Sequence, residues 1–501
     1  MSTWCPKASQ EFWVDLVLKK GTEKTSSMQS EHYSDVIIGS GPCGYAAAKS
    51  QIDLGRKPLV IDFGLIPQSE NLNTERISKL VIKTAQERNS VFEYPEKLVT
   101  SVDNLHIPVS NARGGLSKIW GAGILLRQRS EMTELASIWA GIENGYEHLL
   151  QDIPHVGADD RTSIRFPWPL NTPKAPQSSR MNSTVESLQS KKSGPLIGWP
   201  RLALENRKGN CIRCGQCLNG CPLNLFFSAG LALEELRNRK LCSFKTGPVL
   251  TIERRMGVLH LRLPDGEITA NRIFLAAGPI ASPALLQRSD LAPKQLSVRD
   301  SAVFYTGFYN SSDSSGLEAD YTSSHMVAYS DEPGKNDFQL AIYESNPEYS
   351  ARLGAMLGGL GRYAKIPKML TAKINAGIGF LDSSVSGSLL LNYSNGTTSV
   401  TRDSPKGLSA RAKKVVKQVT ALTSEHGIHA LPKIILVPPP GSGYHCGASM
   451  PMGGNFVDIN GQLKNLANVF VVDSSVLPEI WAGSHTFTAM ANAYRIVQDV
   501  S

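Results

Sequence analysis

The sequence predicts an α/β fold joined to a mainly antiparallel β domain, and three observations predict it. A glycine-rich turn at 39–44 separates an apolar run from a small-residue stretch of helical type. Short alternating β-type runs dominate between about 300 and 435. Residues 440–501 then return to strand-then-helix order, so the first domain is expected to close with the C-terminal segment. Alternating strands and helices imply a parallel sheet with helices on its faces, and the β-rich stretch implies a second unit.

The first thirty or so residues are Ser/Lys-rich and read as an arm or a short helix. Val36 to Ile38 is continuously apolar, the pattern of a buried parallel strand. In Gly39-Ser-Gly41-Pro42-Cys-Gly44 each glycine has a task. Gly39 permits the tight turn, Gly41 lets backbone approach a pyrophosphate, and Gly44 allows close helix packing. The helix should run to about Leu54 and stop at Gly55. A second strand, 58–62, ends in Asp62, 23 residues after Gly39. A carboxylate there can grip a ribose hydroxyl, so strand, turn, helix, strand and acid together read as a dinucleotide site.

Residues 111–123 form a second glycine-rich loop, with Gly114, Gly115, Ser117 and Trp120 suited to lie against a flat, phosphorylated cofactor. Residues 160–205 are Pro/Ser/Asn-rich and aperiodic, and read as a surface excursion, a lid or a binding loop. After residue 240, alternating runs with an Asp265-Gly266 turn precede a buried strand at 272–278 that ends in Gly278. Strands are expected at 303–309, 326–329, 338–343 and 387–393, with Asn395-Gly396 as a turn and a helix over 405–423.

The chain has 501 residues, enough for two or three domains and a large core. No run approaches the ~18 consecutive apolar residues of a membrane span. No basic-then-apolar leader opens the sequence, so a cytoplasmic protein is expected. The net charge of +8 is spread along the chain, and the cluster Arg411 to Lys414 reads as a solvated helical face, so no nucleic-acid partner is expected.

Cys211, Cys214, Cys217 and Cys221, followed by Pro222, have the spacing C-x2-C-x2-C-x3-C-P of an iron–sulfur run. Soft thiolates select iron–sulfur or zinc over hard cations, and zinc more often takes two separated C-x2-C pairs. In two-cluster ferredoxins the fourth cysteine of such a run serves the other cluster, and only one run is present here. Three arrangements stay open: four ligands on a [4Fe-4S] cluster, three on a [3Fe-4S] cluster, or help from a remote cysteine. A structural zinc site remains the alternative.

Taken together, these pieces resemble the glucose–methanol–choline (GMC) flavoprotein oxidoreductases over 33–125, about 200–290 and 440–500. The resemblance implies an FAD-binding Rossmann-like domain at 33–159, 200–295 and 440–501. Within it lies a Cys-rich loop at 207–225. A discontinuous substrate domain would occupy 160–199 and 296–439, after an arm at 1–32. It implies that Gly39, Gly41, Pro42, Gly44 and Asp62 hold the FAD adenosine end and that Gly114, Gly115, Ser117 and Trp120 lie by the pyrophosphate and flavin. Val249 takes the place of an adenine contact, Gly278 that of the next cofactor strand, and Asp473 that of the aspartate near the ribityl chain. His445 and His485 match the two positions facing the flavin, and Thr486 opens a helix whose dipole could favour reduced, anionic flavin.

The implied activity is oxidation of an alcohol, polyol or sugar at CH–OH. His445 serves as base and His485 holds the substrate oxygen, because a neutral imidazole suits proton acceptance near pH ~6.5. Electrons would leave through the iron–sulfur cluster to an acceptor protein or quinone. Two alternatives stand beside this reading. One is an oxidase using O2 with a structural Cys motif, and the other a non-catalytic flavin/iron–sulfur subunit.

Overall fold

The computed structural model describes residues 31–64, 98–101, 107–205, 211, 217, 221–311, 323–334, 336–344 and 373–500. They form three sheets. The first has parallel strands β1 (Glu31–Ile38), β2 (Leu59–Asp62), β5 (Ser243–Thr246), β8 (Gly266–Leu275) and β18 (Val469–Val471). An antiparallel hairpin, β6 (Thr251–Arg255) and β7 (Val258–Leu263), extends it from β8. The order is β5-β2-β1-β8-β7-β6, with β18 also beside β8.

Val36, Ile37 and Ile38 pair with Leu59 to Ile61 on one side and Ile273 to Leu275 on the other. All three are buried, which explains why the strand reads as continuously apolar rather than alternating. C-terminal β18 pairs Val469 with Ile273, so residues near 470 reach the sheet that begins at residue 31.

Helix α1 (Pro42–Asp53) starts with Gly41 as N-cap and proline in its first turn, and ends at Leu54 and left-handed Gly55. Helix α7 (Thr486–Asp499) packs against it, and Ser50 donates to the Tyr494 carbonyl at 2.9 Å. Helix α2 (Trp139–Asp152) crosses α7 at Gly145, where an added Cβ would stand 2.5 Å from the Ala491 carbonyl oxygen. The two backbones therefore touch. Tyr146 stacks on Phe487 with centroids 5.5 Å apart and hydrogen-bonds Thr488 at 2.7 Å, fixing the first turn of α7. Helix α4 (Ala229–Asn238) lies on the same side, and α5 (Ala281–Arg288) covers the opposite core.

The second sheet is antiparallel. Its order is β16 (Ile428–Leu436), β10 (Val303–Asn310), β13 (Ile374–Leu381), β12 (Phe338–Tyr343), β11 (Met326–Tyr329) and β4 (Leu196–Gly198). Helices α3 (Ser179–Leu188) and α6 (Leu408–Thr423) bury Val185, Leu188, Val415 and Val419 in its core. The third sheet runs β17 (Cys446–Gly447), β9 (Gln295–Asp300), β14 (Ser388–Ser394), β15 (Thr397–Asp403) and β3 (Val99–Ser101). Residues 296–439 thus divide between two sheets. Asn395 and Gly396 have φ of 50° and 83°, giving the turn expected between β14 and β15.

Residues 160–205 are not exposed throughout: Ile164 and Leu170 lie at the surface, but much of the segment is packed. Phe166, Trp168, Met181, Val185 and the strand β4 are buried. Arg201 explains the misreading. It is buried and donates to the carbonyl of Phe166, to Ala158 O at 3.3 Å and to Ser163 Oγ at 2.9 Å. Its guanidinium lies 5.2 Å from the Trp168 ring centroid. Proline-rich backbone that cannot make its own ladder is met here in part by side chains, Arg201 at Phe166, Arg161 at Gly194 and Pro195, and Thr172 at Pro169, so polar composition coexists with burial. No described helix is long and apolar enough to cross a membrane.

Candidate active site

The first glycine loop is built for close approach. Gly39 has φ of 105°, and an added Cβ would meet the Ala276 carbonyl oxygen at 2.4 Å. At Gly44 it would meet the Gly39 carbonyl oxygen at 2.0 Å, so α1 sits directly on the turn. At Gly41 nothing lies within 4 Å, and no side chain caps α1. Open space before uncapped helix amides is a cradle for an anion such as a pyrophosphate. Pro42 contributes no N–H there.

Asp62 closes this loop. Its carboxylate accepts from Ser40 N at 2.7 Å and Gly64 N at 2.6 Å. Burial raises its pKa, opposed by these hydrogen bonds and by the Arg113 charge. A carboxylate has about four acceptor sites, and the Ser40 side chain also bonds it, so one remains for a ribose hydroxyl. The second glycine loop lies against the first. Ser40 Oγ accepts from Gly114 N at 2.8 Å, and an added Cβ at Gly115 would lie 3.5 Å from Gly41 Cα. Ser117 Oγ donates to Gly114 O at 2.6 Å and accepts from Ala229 N at 3.0 Å. Trp120 Nε1 donates to Phe227 O at 2.9 Å.

Asp473, buried after β18, accepts from Gly278 N at 2.8 Å, Ser282 Oγ at 2.5 Å and Ser475 N at 2.9 Å. Burial raises its pKa against these hydrogen bonds. Gly278 has φ of 92° and open space around it. Val249 is buried in the core cluster that also holds Val36 and Ile252.

His445 and His485 come together although 40 positions separate them. Ser301 N donates to the His445 carbonyl at 2.8 Å, and Phe380 stacks on its imidazole with centroids 4.1 Å apart. His485 is the N-cap of α7, placed by the contact of α7 with α2. The two rings meet edge to face, centroids 5.3 Å apart and planes at 85°. Both Nδ1 atoms are buried without a hydrogen-bond partner among the described residues. Leaving such a group unmet costs ~1–3 kcal/mol, a cost consistent with a bound molecule supplying the partner.

Burial pushes the His445 pKa down to about 4. Burial, then His445 and Arg127, hold His485 well below the usual histidine value. Both rings are therefore neutral at pH 7. A lowered folded pKa means that the unfolded chain binds protons that the folded chain refuses. Stability is then lost as pH falls from about 6.5 to about 4. For His445 the loss amounts to about 3 kcal/mol. Asp300 and Glu479, each pushed up to about 7 by burial, act in the opposite sense. The prediction is therefore a difference: the stability of wild type relative to His445→Gln falls on acidification, measured by urea unfolding of flavin-free protein. An unchanged difference would contradict it.

Sequence reasoning missed the residues that hold the His485 turn. Ser484 N donates to Gln339 Oε1 at 3.2 Å, and Ser484 Oγ donates to Gly123 O at 2.5 Å. Arg127 lies over the Trp481 ring at 4.3 Å. None sits in a periodic pattern that the sequence could display.

Cys211 is exposed, whereas Cys217 and Cys221 are half-buried at the edge of the main core. Cys214 lies outside the described residues. Among the described residues no three His, Cys, Asp or Glu side chains form a metal-binding group. The donor chemistry of the run suits a cluster, and its assembly is not displayed by the described residues.

A parallel-sheet domain carries two facing glycine loops and a buried imidazole pair, and the comparisons bear on the fold that holds them. Residues 408–493, which carry His445, Asp473 and His485, match the family model described as GMC oxidoreductase, C-terminal part. The fold is similar to that of pyridoxine 4-oxidase from Mesorbium loti, with a TM-score of 0.58 and 16% identity. That match covers 93% of this chain and 98% of the other. No curated protein sequence matches the chain.

Proposed function

We propose that the chain is an FAD-dependent oxidoreductase acting on the CH–OH group of an alcohol, polyol or sugar. The observation that carries this reading is the pair of neutral, buried imidazoles 5.3 Å apart, each with an unmet Nδ1. The match over 408–493 and the shared fold support it.

FAD would be held by Gly39, Gly41, Pro42, Gly44 and Asp62, by Gly114, Gly115, Ser117 and Trp120, and by Gly278 and Asp473. Val249 would contribute through its backbone, and Thr486 through the N-terminus of α7. FAD, when bound, supplies the hydride acceptor. His445 accepts the substrate hydroxyl proton, and His485 orients the substrate oxygen. Segments 33–159, 200–295 and 440–501 would form the cofactor domain, with 160–199 and 296–439 shaping the substrate entrance.

The thiolate spacing at Cys211, Cys214, Cys217 and Cys221 supports an iron–sulfur outlet that passes electrons singly to a protein or quinone. The name of the structural relative, an oxidase, supports O2 as the acceptor instead. Anaerobic purification followed by FAD, iron and sulfide analysis separates these readings. The outlet reading expects FAD together with iron and sulfide. Absence of iron ends the cluster, and substrate-dependent peroxide in air favours the oxidase. Protein that neither retains nor takes up FAD contradicts the whole proposal.

A further inference from the structure

We propose that Arg127 is a positioning residue of the two-histidine site, clamping the Trp481–Gly483 turn and supplying a fixed positive charge beside His485. The proposal rests on the reading of His485 as a site residue. Arg127 is among the largest fully buried side chains of the described protein. Its guanidinium carbon lies 4.3 Å from the centroid of Trp481 and 5.6 Å from that of Phe166. Nη2 makes a long contact of 3.5 Å to the Gly483 carbonyl oxygen. The same Nη2 would stand 3.2 Å from a Cβ added at Gly483. A Cβ there would also lie 2.8 Å from Leu125 Cδ1, so glycine lets the turn close onto Leu125 and the arginine without displacing either. Two residues later the chain delivers His485 as the N-cap of α7.

The arginine is itself held. Nη1 pairs with Glu131 at 3.2 Å, and the other Glu131 oxygen accepts from Arg165 Nε at 2.5 Å. Arg165 reaches on to Asp337 at 2.9 Å and Ser330 Oγ at 2.9 Å. Two arginines and two carboxylates thus balance inside the protein, as buried charge requires. A guanidinium does not give up its proton in a protein, so the charge beside His485 is permanent. The other titratable groups around His485 and Arg127 are His445 across the site, the carboxyls of Asp382 and Glu479, and the phenols of Tyr146 and Tyr329, both pushed up by burial. Burial lowers His485 first, His445 next, and the like charge of Arg127 adds to both. An imidazole kept neutral in this way can hold a substrate oxygen without competing for its proton.

Titration of histidine rings by NMR in isotope-labelled protein tests this directly, with His485→Gln and His445→Gln assigning the two signals. Arg127→Met, which keeps the packing on Trp481, is expected to raise the His485 midpoint by about one pH unit, a tenfold gain in proton affinity. Arg127→Lys, which keeps the charge, should stay near wild type. Arg127→Gln serves if the Met variant does not fold. A purely structural role would lower the unfolding midpoint and leave the titration curve superimposed on wild type, and that result overturns the proposal. Failure of the site reading is separate. It would appear as unchanged substrate-driven flavin reduction in His485→Ala, whatever the titration shows.

Discussion

His445→Ala is expected to slow substrate-driven flavin reduction by about 10²–10⁴-fold, the usual worth of a positioned base. Hydride leaves a carbinol carbon more readily as its hydroxyl loses the proton. Burial, with the pKa pushed down to about 4, keeps the imidazole unprotonated and ready at neutral pH. Its ring is fixed by the 4.1 Å stack on Phe380, and its backbone by Ser301. The substitution removes the ring but leaves the glycine loops and Asp473 intact. FAD content should therefore remain at the wild-type level while the reduction rate collapses. Stopped-flow absorbance under anaerobic conditions reads both. A variant with normal flavin and an unchanged rate would remove His445 from the proposed chemistry.

Gly44→Ala is the second large effect, and it acts on the opposite end of the proposed cofactor. The new Cβ would lie 2.0 Å from the Gly39 carbonyl oxygen, a backbone atom with no rotamer to yield. Helix α1 must then move off the strand that positions it. Overpacking of this kind costs ~1–3 kcal/mol. Gly39, at φ of 105°, cannot follow, because its own position against Ala276 is already at backbone contact. We expect a lowered urea midpoint and loss of bound FAD together. Gly407→Ala is a useful control: φ is 89° there, and nothing lies within 4 Å. It should cost stability from backbone strain alone and leave flavin content unchanged.

The contrast between these two sites shows what was legible in the sequence. Gly39 to Asp62 forms one contiguous unit, and each residue reports a local demand: a turn, a close approach, a helix start. Strand β1, helix α1 and strand β2 fall within a residue or so of the boundaries expected for them, apart from the earlier start of β1. His445 and His485 were legible only through resemblance to a family. Their approach to 5.3 Å depends on the Gly145–Ala491 backbone contact and on the Cys446–Asp300 pairing, neither visible in a local window. Arg127, Gln339 and Gly123 hold the same turn from distant parts of the chain, and nothing in their flanking residues announces it. Residues 160–205 misled for the reverse reason. Their proline and serine content signals exposure, whereas Arg201 and Trp168 make a packed structure of them.

The central claim is that these loops and imidazoles together oxidise a CH–OH group at a bound flavin. The most direct measurement is the anaerobic absorbance spectrum of the purified, FAD-loaded protein during addition of a panel of alcohols, polyols and sugars. The account predicts bleaching of the flavin band by at least one member of the panel, lost in His445→Ala. A flavin that stays oxidised with every member, or that bleaches equally in the variant, would contradict it.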